Sequence, residues 1–226
     1  MLQDIVVEAT LYAIPLLLAV VAHEVAHGWV AEKRGDPTAR LLGRLTLNPL
    51  VHIDPFGTVI LPIVLLVIQS PFLFGWAKPV PVNFANLRGG RRDMALVALS
   101  GPLTNLLLAA LSAGAYHLIL SGLKQGWIAD DNVVSWVAEP LLLMAKISIS
   151  FNLVLMAFNL IPILPLDGGR ILVGLLPDAL AFKMERLERY GMLIFLLLIG
   201  IPVLRSYLWG YFLNPIMDVF MRLFLG

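Results

Sequence analysis

Residues 16–35 read LLLAVVAHEVAHGWVAEKRG. The stretch opens as bilayer-grade hydrocarbon and ends as a basic loop. Between the two sit three ionisable side chains, His23, Glu24 and His27. Such groups inside an apolar helix are rare, face a cavity or a partner, and mark function. His23 and His27 are four residues apart, so both imidazoles project from one helical face. At that spacing two ring nitrogens can reach one Zn²⁺ at about 2.0–2.1 Å, and the adjacent Glu24 can address a water on the metal. The competing reading is a pair of hydrogen-bonded buried histidines beside a neutralised glutamate.

The surrounding helix is expected from about Ile5 to Lys33. Residues 9–22 carry no charge, and Trp29, Lys33 and Arg34 mark an interfacial end. That places His23 roughly 9 Å beneath the interface at 1.5 Å rise per residue. The 226-residue chain is 59% apolar and 14% charged, with a mean hydropathy of +0.88. A soluble domain carries about a quarter charged residues. Several charge-poor runs approach the roughly 20 residues needed to cross a bilayer. Further apolar segments are expected at 56–74, about 92–122, about 139–162, about 190–206 and 207–225, the last either crossing or lying at the surface. The fold class is an all-α polytopic membrane protein of about five to six hydrophobic segments, forming a single integral membrane domain over residues 1–226. The first helix reads as retained, because no basic n-region precedes it.

The sequence has no cysteine, which excludes thiol catalysis, thiolate metal sites and disulfides. A formal charge of +1 without a basic tail gives no sign of a nucleic-acid partner. Twelve of the sixteen cationic residues fall in three segments. Lys33, Arg34, Arg40 and Arg44 lie in 33–55; Lys78, Arg88, Arg91 and Arg92 in 75–92; Arg170, Lys183, Arg186 and Arg189 in 163–189. The positive-inside rule puts all three on the cytoplasmic side of the cell membrane. Residues 56–74 then cannot span, since 33–55 and 75–92 would face opposite sides. The sequence therefore predicts a re-entrant helix/strand element at about 56–83, a short helix followed by an extended PVPVN strand. Backbone of that kind at membrane depth needs protein or a water-filled cavity around it.

A catalytic zinc ion normally has three protein ligands and an open position. Candidates for the third are His52, Asp54 and Asp167. His117 falls at the far end of its helix. His52 and Asp54 sit in the loop after the first helix, where Asp54 also suits the cap of the segment starting at Pro55. Asp167 is preferred, because it shares the depth of the histidine pair. Pro162, Pro165 and the Gly168–Gly169 pair let the backbone there leave the helix and approach closely. Asn105 and Asn159 are further polar groups in apolar surroundings. They either join helices, at about 1 kcal/mol or less, or hold an extended substrate backbone.

Together HEVAH, SGPLTN and NLIPILPLDGGR, spread over residues 23–170, resemble the motifs of the site-2 protease family of intramembrane zinc metalloproteases. The resemblance implies one Zn²⁺ per chain on His23, His27 and Asp167, with Glu24 as catalytic base. It assigns Asn159 to substrate binding and leaves Asn105 with a less defined part in the same site. It implies a transmembrane protein segment as substrate, cleaved within the lipid bilayer near its cytoplasmic side. The chain lacks PDZ and CBS modules and any span before the HEVAH helix, which points to a minimal member. Two other classes compete, a metal-ion transporter and a catalytically silent membrane scaffold. A transporter needs a polar path to both faces, and the outer helix halves offer little beyond His117 and Lys146.

Overall fold

The computed structural model describes residues 2–69, 77–128 and 130–226. The helices in chain order are α1 (Leu2–Arg34), α2 (Thr38–Leu41), α3 (Leu61–Val67), α4 (Arg91–Lys124) and α5 (Asp131–Val133). They continue with α6 (Glu139–Asn159), α7 (Asp167–Leu175), α8 (Asp178–Gly200), α9 (Pro202–Tyr207) and α10 (Asn214–Leu225). Three stretches are long and apolar enough to cross a bilayer: Thr10–Arg34, Arg91–Lys124 and Asp131–Asn159. The pair from Asp178 to Leu225 makes a fourth if its two halves count as one broken span.

The long helices α1, α4 and α6 pack on one another, and small residues fill many of the buried positions. Ala19, Ala109 and Ala157 are fully buried. Lipid tails solvate leucine as well as a neighbouring helix does, so association in a membrane relies on close backbone approach and polar contacts. The opposite face of α4 carries Leu103, Leu107 and Leu111 at four-residue spacing, all exposed, as a lipid-facing stripe requires. Helix α1 ends where Gly35 takes φ +115°. Its N–H bonds Glu32 O at 3.1 Å, and Asp36 N–H bonds Ala31 O at 2.9 Å. This is the left-handed cap that glycine allows without steric penalty.

The excursion between α1 and α4 leaves and returns at one place. Asp54 accepts from the N–H groups of Phe56 (3.0 Å) and Gly57 (2.6 Å) and so starts the helical run Pro55–Val67. That run is roughly 20 Å long at 1.5 Å per residue, short of the roughly 30 Å hydrocarbon core. The end of the predicted apolar run, 70–74, lies outside the described residues. Lys78 N–H bonds His52 O at 2.9 Å. Arg88 N–H then bonds Arg34 O at 3.0 Å, and buried Asp36 accepts from Asn83 N–H (2.7 Å) and the Asn86 side chain (2.8 Å).

The expected strand is corrected: no strand occurs among the described residues. Pro79 and Pro81 remove two donors, and Lys78 and Val80, each preceding a proline, are confined to extended backbone. The remaining polar groups find other partners. Val80 N–H goes to Glu24 and Asn83 N–H to Asp36, while Arg44 donates to the carbonyls of Lys78 (2.8 Å) and Pro79 (3.4 Å). The segment is extended chain held by side chains.

The C-terminal part also differs from expectation. Helix α8 begins at Asp178, twelve residues before the apolar run, so the cations Lys183, Arg186 and Arg189 ride on the same helix. It stops before Pro202, whose missing N–H begins a new helix, and the two halves meet at 85°. Helix α10 runs along α4 and α6, with Phe220 and Phe224 against Ala109, Ala113 and Leu153. It ends where Phe224 O bonds the His117 ring at 2.7 Å.

The return fixes a testable topology. Single cysteines at exposed positions 42 and 88 should both react with an impermeant maleimide from the same side of oriented vesicles. Labelling from opposite sides would replace the return with a crossing.

Candidate metal centre

Helix α1 carries His23 and His27 one turn apart, with ring centroids 4.6 Å apart and ring planes nearly perpendicular. Asp167 opens α7 directly after the turns that end α6, where Gly168 and Gly169 lie so close to the Leu160–Leu164 backbone that a Cβ would overlap it. The two Nε2 atoms are 3.0 Å apart, and Asp167 Oδ2 lies 3.1 Å from that of His23 and 3.3 Å from that of His27. The cluster is largely buried.

Each imidazole is tied from behind. His27 Nδ1 lies 2.8 Å from Val97 O, a carbonyl that can only accept, so Nδ1 carries the proton and Nε2 the lone pair. His23 Nδ1 is 2.6 Å from Asn105 Oδ1. Asp167 Oδ2 is buried and takes no hydrogen bond despite its two imidazole neighbours. Three acceptor atoms thus converge.

That geometry fits a cation. Four ligands at about 2.0 Å around tetrahedral zinc are separated by roughly 3.3 Å, close to the observed edges. Two imidazole nitrogens and one carboxylate oxygen form a usual catalytic donor set with a fourth position open. Gly101 makes the approach possible. A Cβ there would lie 2.5 Å from His27 Nε2 and 2.6 Å from His23 Cε1. The glycine of SGPLTN is therefore the floor on which both rings rest.

The group faces a cavity of about 380 Å³ that Glu24, Val80, Asn159 and Arg170 also line. Glu24 Oε2 accepts from Val80 N–H at 2.7 Å. Asn159 donates to Leu155 O at 2.9 Å and lines the cavity. Asn105 is fully buried and lies behind His23, off the cavity wall. Its side-chain oxygen faces His23 Nδ1. The other two candidates for the third ligand are held elsewhere. His52 bonds Thr46 O at 2.9 Å, and Asp54 caps its helix.

Sequence reasoning overlooked Arg44 and Arg170. Arg44 is buried and clamps the carbonyls of the extended segment. Arg170 sits between the Phe84 ring, 4.7 Å from its centroid, and Glu188 at 2.7 Å. The spacing of Arg170 from Asp167, three residues on a helix, was the available signal. Arg44, in a glycine- and proline-broken loop, gave none.

The chain is similar to known proteins over most of its length. Residues 122–200 match the family described as Peptidase family M50. The chain is 39% identical over 211 residues to YwhC of Bacillus subtilis, which is named as a zinc metalloprotease, covering 93% of this chain and 89% of that one. It is 26% identical to Rip2 of Mycolicibacterium smegmatis, over 84% of this chain and 67% of that one. It is 27% identical to Rip2 of Mycobacterium tuberculosis, over 92% and 74% respectively. Both are likewise named as zinc metalloproteases. No solved structure matches the chain.

Gly101→Ala provides a test of the floor. Overpacking there costs about 1–3 kcal/mol, and the displaced rings should bind zinc at least ten-fold more weakly in a competition titration. Wild-type affinity in that variant would show that the rings do not depend on Gly101.

Proposed function

The chain belongs to peptidase family M50, the site-2 proteases, and on that premise we propose that His23, His27 and Asp167 hold its zinc while Glu24 is the catalytic base. The protein is an intramembrane zinc metalloprotease. What carries the residue assignment is the 3.0–3.3 Å triangle of acceptor atoms beside Glu24 at the cavity. Zinc bound there supplies Lewis acidity toward a water and a scissile carbonyl. Glu24 takes the proton of the attacking water and passes it to the leaving amine. Val97 O and Asn105 hold the two imidazoles with Nε2 presented.

The substrate we infer is a transmembrane segment of another protein, which must unwind because helical carbonyls are engaged in their own hydrogen bonds. An unpaired backbone group in hydrocarbon costs several kcal/mol. The extended segment offers partners. Val82 N–H and the carbonyls of Val80 and Val82 have no partner among the described residues. In extended chain, residues 80 and 82 present their polar groups to the same edge. A substrate strand added there would be satisfied by the enzyme backbone, with Asn159 serving a further peptide group. The whole chain would act as one membrane domain of the cell membrane, with its site toward the cytoplasm. In support, the cationic segments cluster: Arg34 lies 3.6 Å from Asp93, and Arg91 reaches Asp178. A transport path finds no support, since His117 bonds Phe224 O and Lys146 lies over Tyr116.

Gly28 sets how close the edge comes to the base. It lies one turn after Glu24, and a Cβ there would be 2.8 Å from Val80 Cγ1 and 2.9 Å from Ala39 Cβ. Two sets of variants separate base, metal and edge. In detergent with single-span substrates, Glu24→Gln should retain one zinc and lose cleavage by roughly 10²–10⁴-fold, while Asp167→Ala should lose the zinc. Full zinc occupancy in Asp167→Ala would remove it from the ligand set. Gly28→Ala and Asn159→Leu should each keep zinc and slow cleavage about ten-fold or more. Wild-type turnover in both would refute the edge and its clamp.

A further inference from the structure

Asn152 lies on α6, two turns before Asn159, and is 1% exposed. It does not touch the cavity, and nothing in the chemistry above uses it. Its amide nitrogen donates to Ser148 O at 2.9 Å and lies 3.3 Å from Ser148 Oγ. Its Oδ1 accepts from Asn105 Nδ2 at 2.9 Å. Asn105 Nδ2 also donates to Ala19 O at 3.2 Å, and Asn105 Oδ1 faces His23 Nδ1 at 2.6 Å. An unbroken chain thus crosses three helices, from α6 through α4 to α1.

The direction of the bonds in this chain is fixed by two backbone carbonyls, Ser148 O acting on Asn152 and Ala19 O on Asn105. A backbone carbonyl accepts and never donates, so Ser148 O compels Asn152 to turn its NH₂ that way. Its oxygen is left for Asn105. Asn105 must then present its NH₂ to Asn152 and to Ala19 O, and its oxygen to His23. An oxygen facing Nδ1 at 2.6 Å requires the proton on Nδ1, so the Nε2 lone pair points at the metal position. With Asn105 reversed, its NH₂ would meet Nδ1, the proton would sit on Nε2, and the ligand atom would be blocked.

We propose that Asn152 is a positioning residue of the metal site: through Asn105 it holds His23 in the tautomer that can bind zinc. The proposal rests on the reading of His23 as a ligand. Buried amides of this kind otherwise serve only to join helices, at about 1 kcal/mol or less. The two roles differ in what they move.

The test compares the wild type with Asn152→Leu and Asn152→Asp, purified in detergent. Asn152→Asp keeps both halves of the relay, since a carboxyl so buried stays neutral and has one donor and one acceptor. The first readout is zinc affinity against a competing chelator at fixed pH. The second is the ¹⁵N shifts of the His23 ring in metal-free protein, which report the tautomer directly. Loss of an outer partner of a metal ligand lowers affinity by about 10–100-fold. That loss, with a mixed His23 tautomer, is expected in Asn152→Leu, and recovery of both in Asn152→Asp. Wild-type affinity and tautomer in Asn152→Leu would overturn the relay. Equal loss in both variants, with unchanged thermal midpoints, would also overturn it, reducing Asn152 to packing. A folded wild type that takes up no zinc would overturn the metal reading beneath it, a result distinct from either.

Discussion

The constraint on which the rest of the structure depends is the convergence of three acceptor atoms, two imidazole Nε2 and one carboxylate oxygen, within 3.0–3.3 Å of one another. Lone pairs do not gather in an apolar interior unless a cation neutralises them, because desolvating an ionised carboxylate costs far more than any packing contact returns. Holding them there demands rigid support behind each ring. Val97 O and Asn105 supply it, and both belong to α4. That helix can come near enough only because Gly101 leaves out a side chain. The apposition of α1 and α4 and the break after α6 can all be read as consequences of this one point.

The second requirement is water. Hydrolysis needs it, and hydrocarbon excludes it. The extended segment 77–83 brings polar backbone to the wall of the cavity that the site faces. Its groups are parcelled out among His52 O, Arg44, Glu24 and Asp36, which leaves the carbonyls of Val80 and Val82 and the Val82 N–H unpaired among the described residues, beside the cavity. Backbone of this sort is tolerated at depth only against protein or a water-filled space. The unpaired edge and the cavity are therefore a single feature.

Local spacing carried the helical part of this arrangement. The four-residue interval of His23 and His27 fixed their common face, and Asp54 before Pro55 announced a cap. Charge distribution carried the return, because short-loop cations sort by side. Contacts made across helices left no local trace. Asn105 reads the same whether it faces a peptide or an imidazole, and only the crossing of α1 over α4 decides it. The PVPVN segment was read as a strand from its extended bias. A strand, however, is defined by a partner, and Arg44, which occupies its carbonyls, lies 34 residues away in a broken loop. Helix α8 began earlier than the apolar run because Lys183, Arg186 and Arg189 suit a helix at an interface as well as a loop.

The bond between Val80 N–H and Glu24 joins the two requirements. It ties Glu24 to the edge, so the segment that would receive the substrate also orients the carboxylate that would take the proton from water. A backbone donor suits this task better than a side chain. It has no rotamers to lose, and its direction is set by the proline on either side. Pro79 and Pro81 leave Val80 as the single N–H donor between Lys78 and Val82, so no neighbouring amide can take its place if the register slips. The same two prolines that prevent a regular strand therefore fix the one amide of this segment that bonds Glu24.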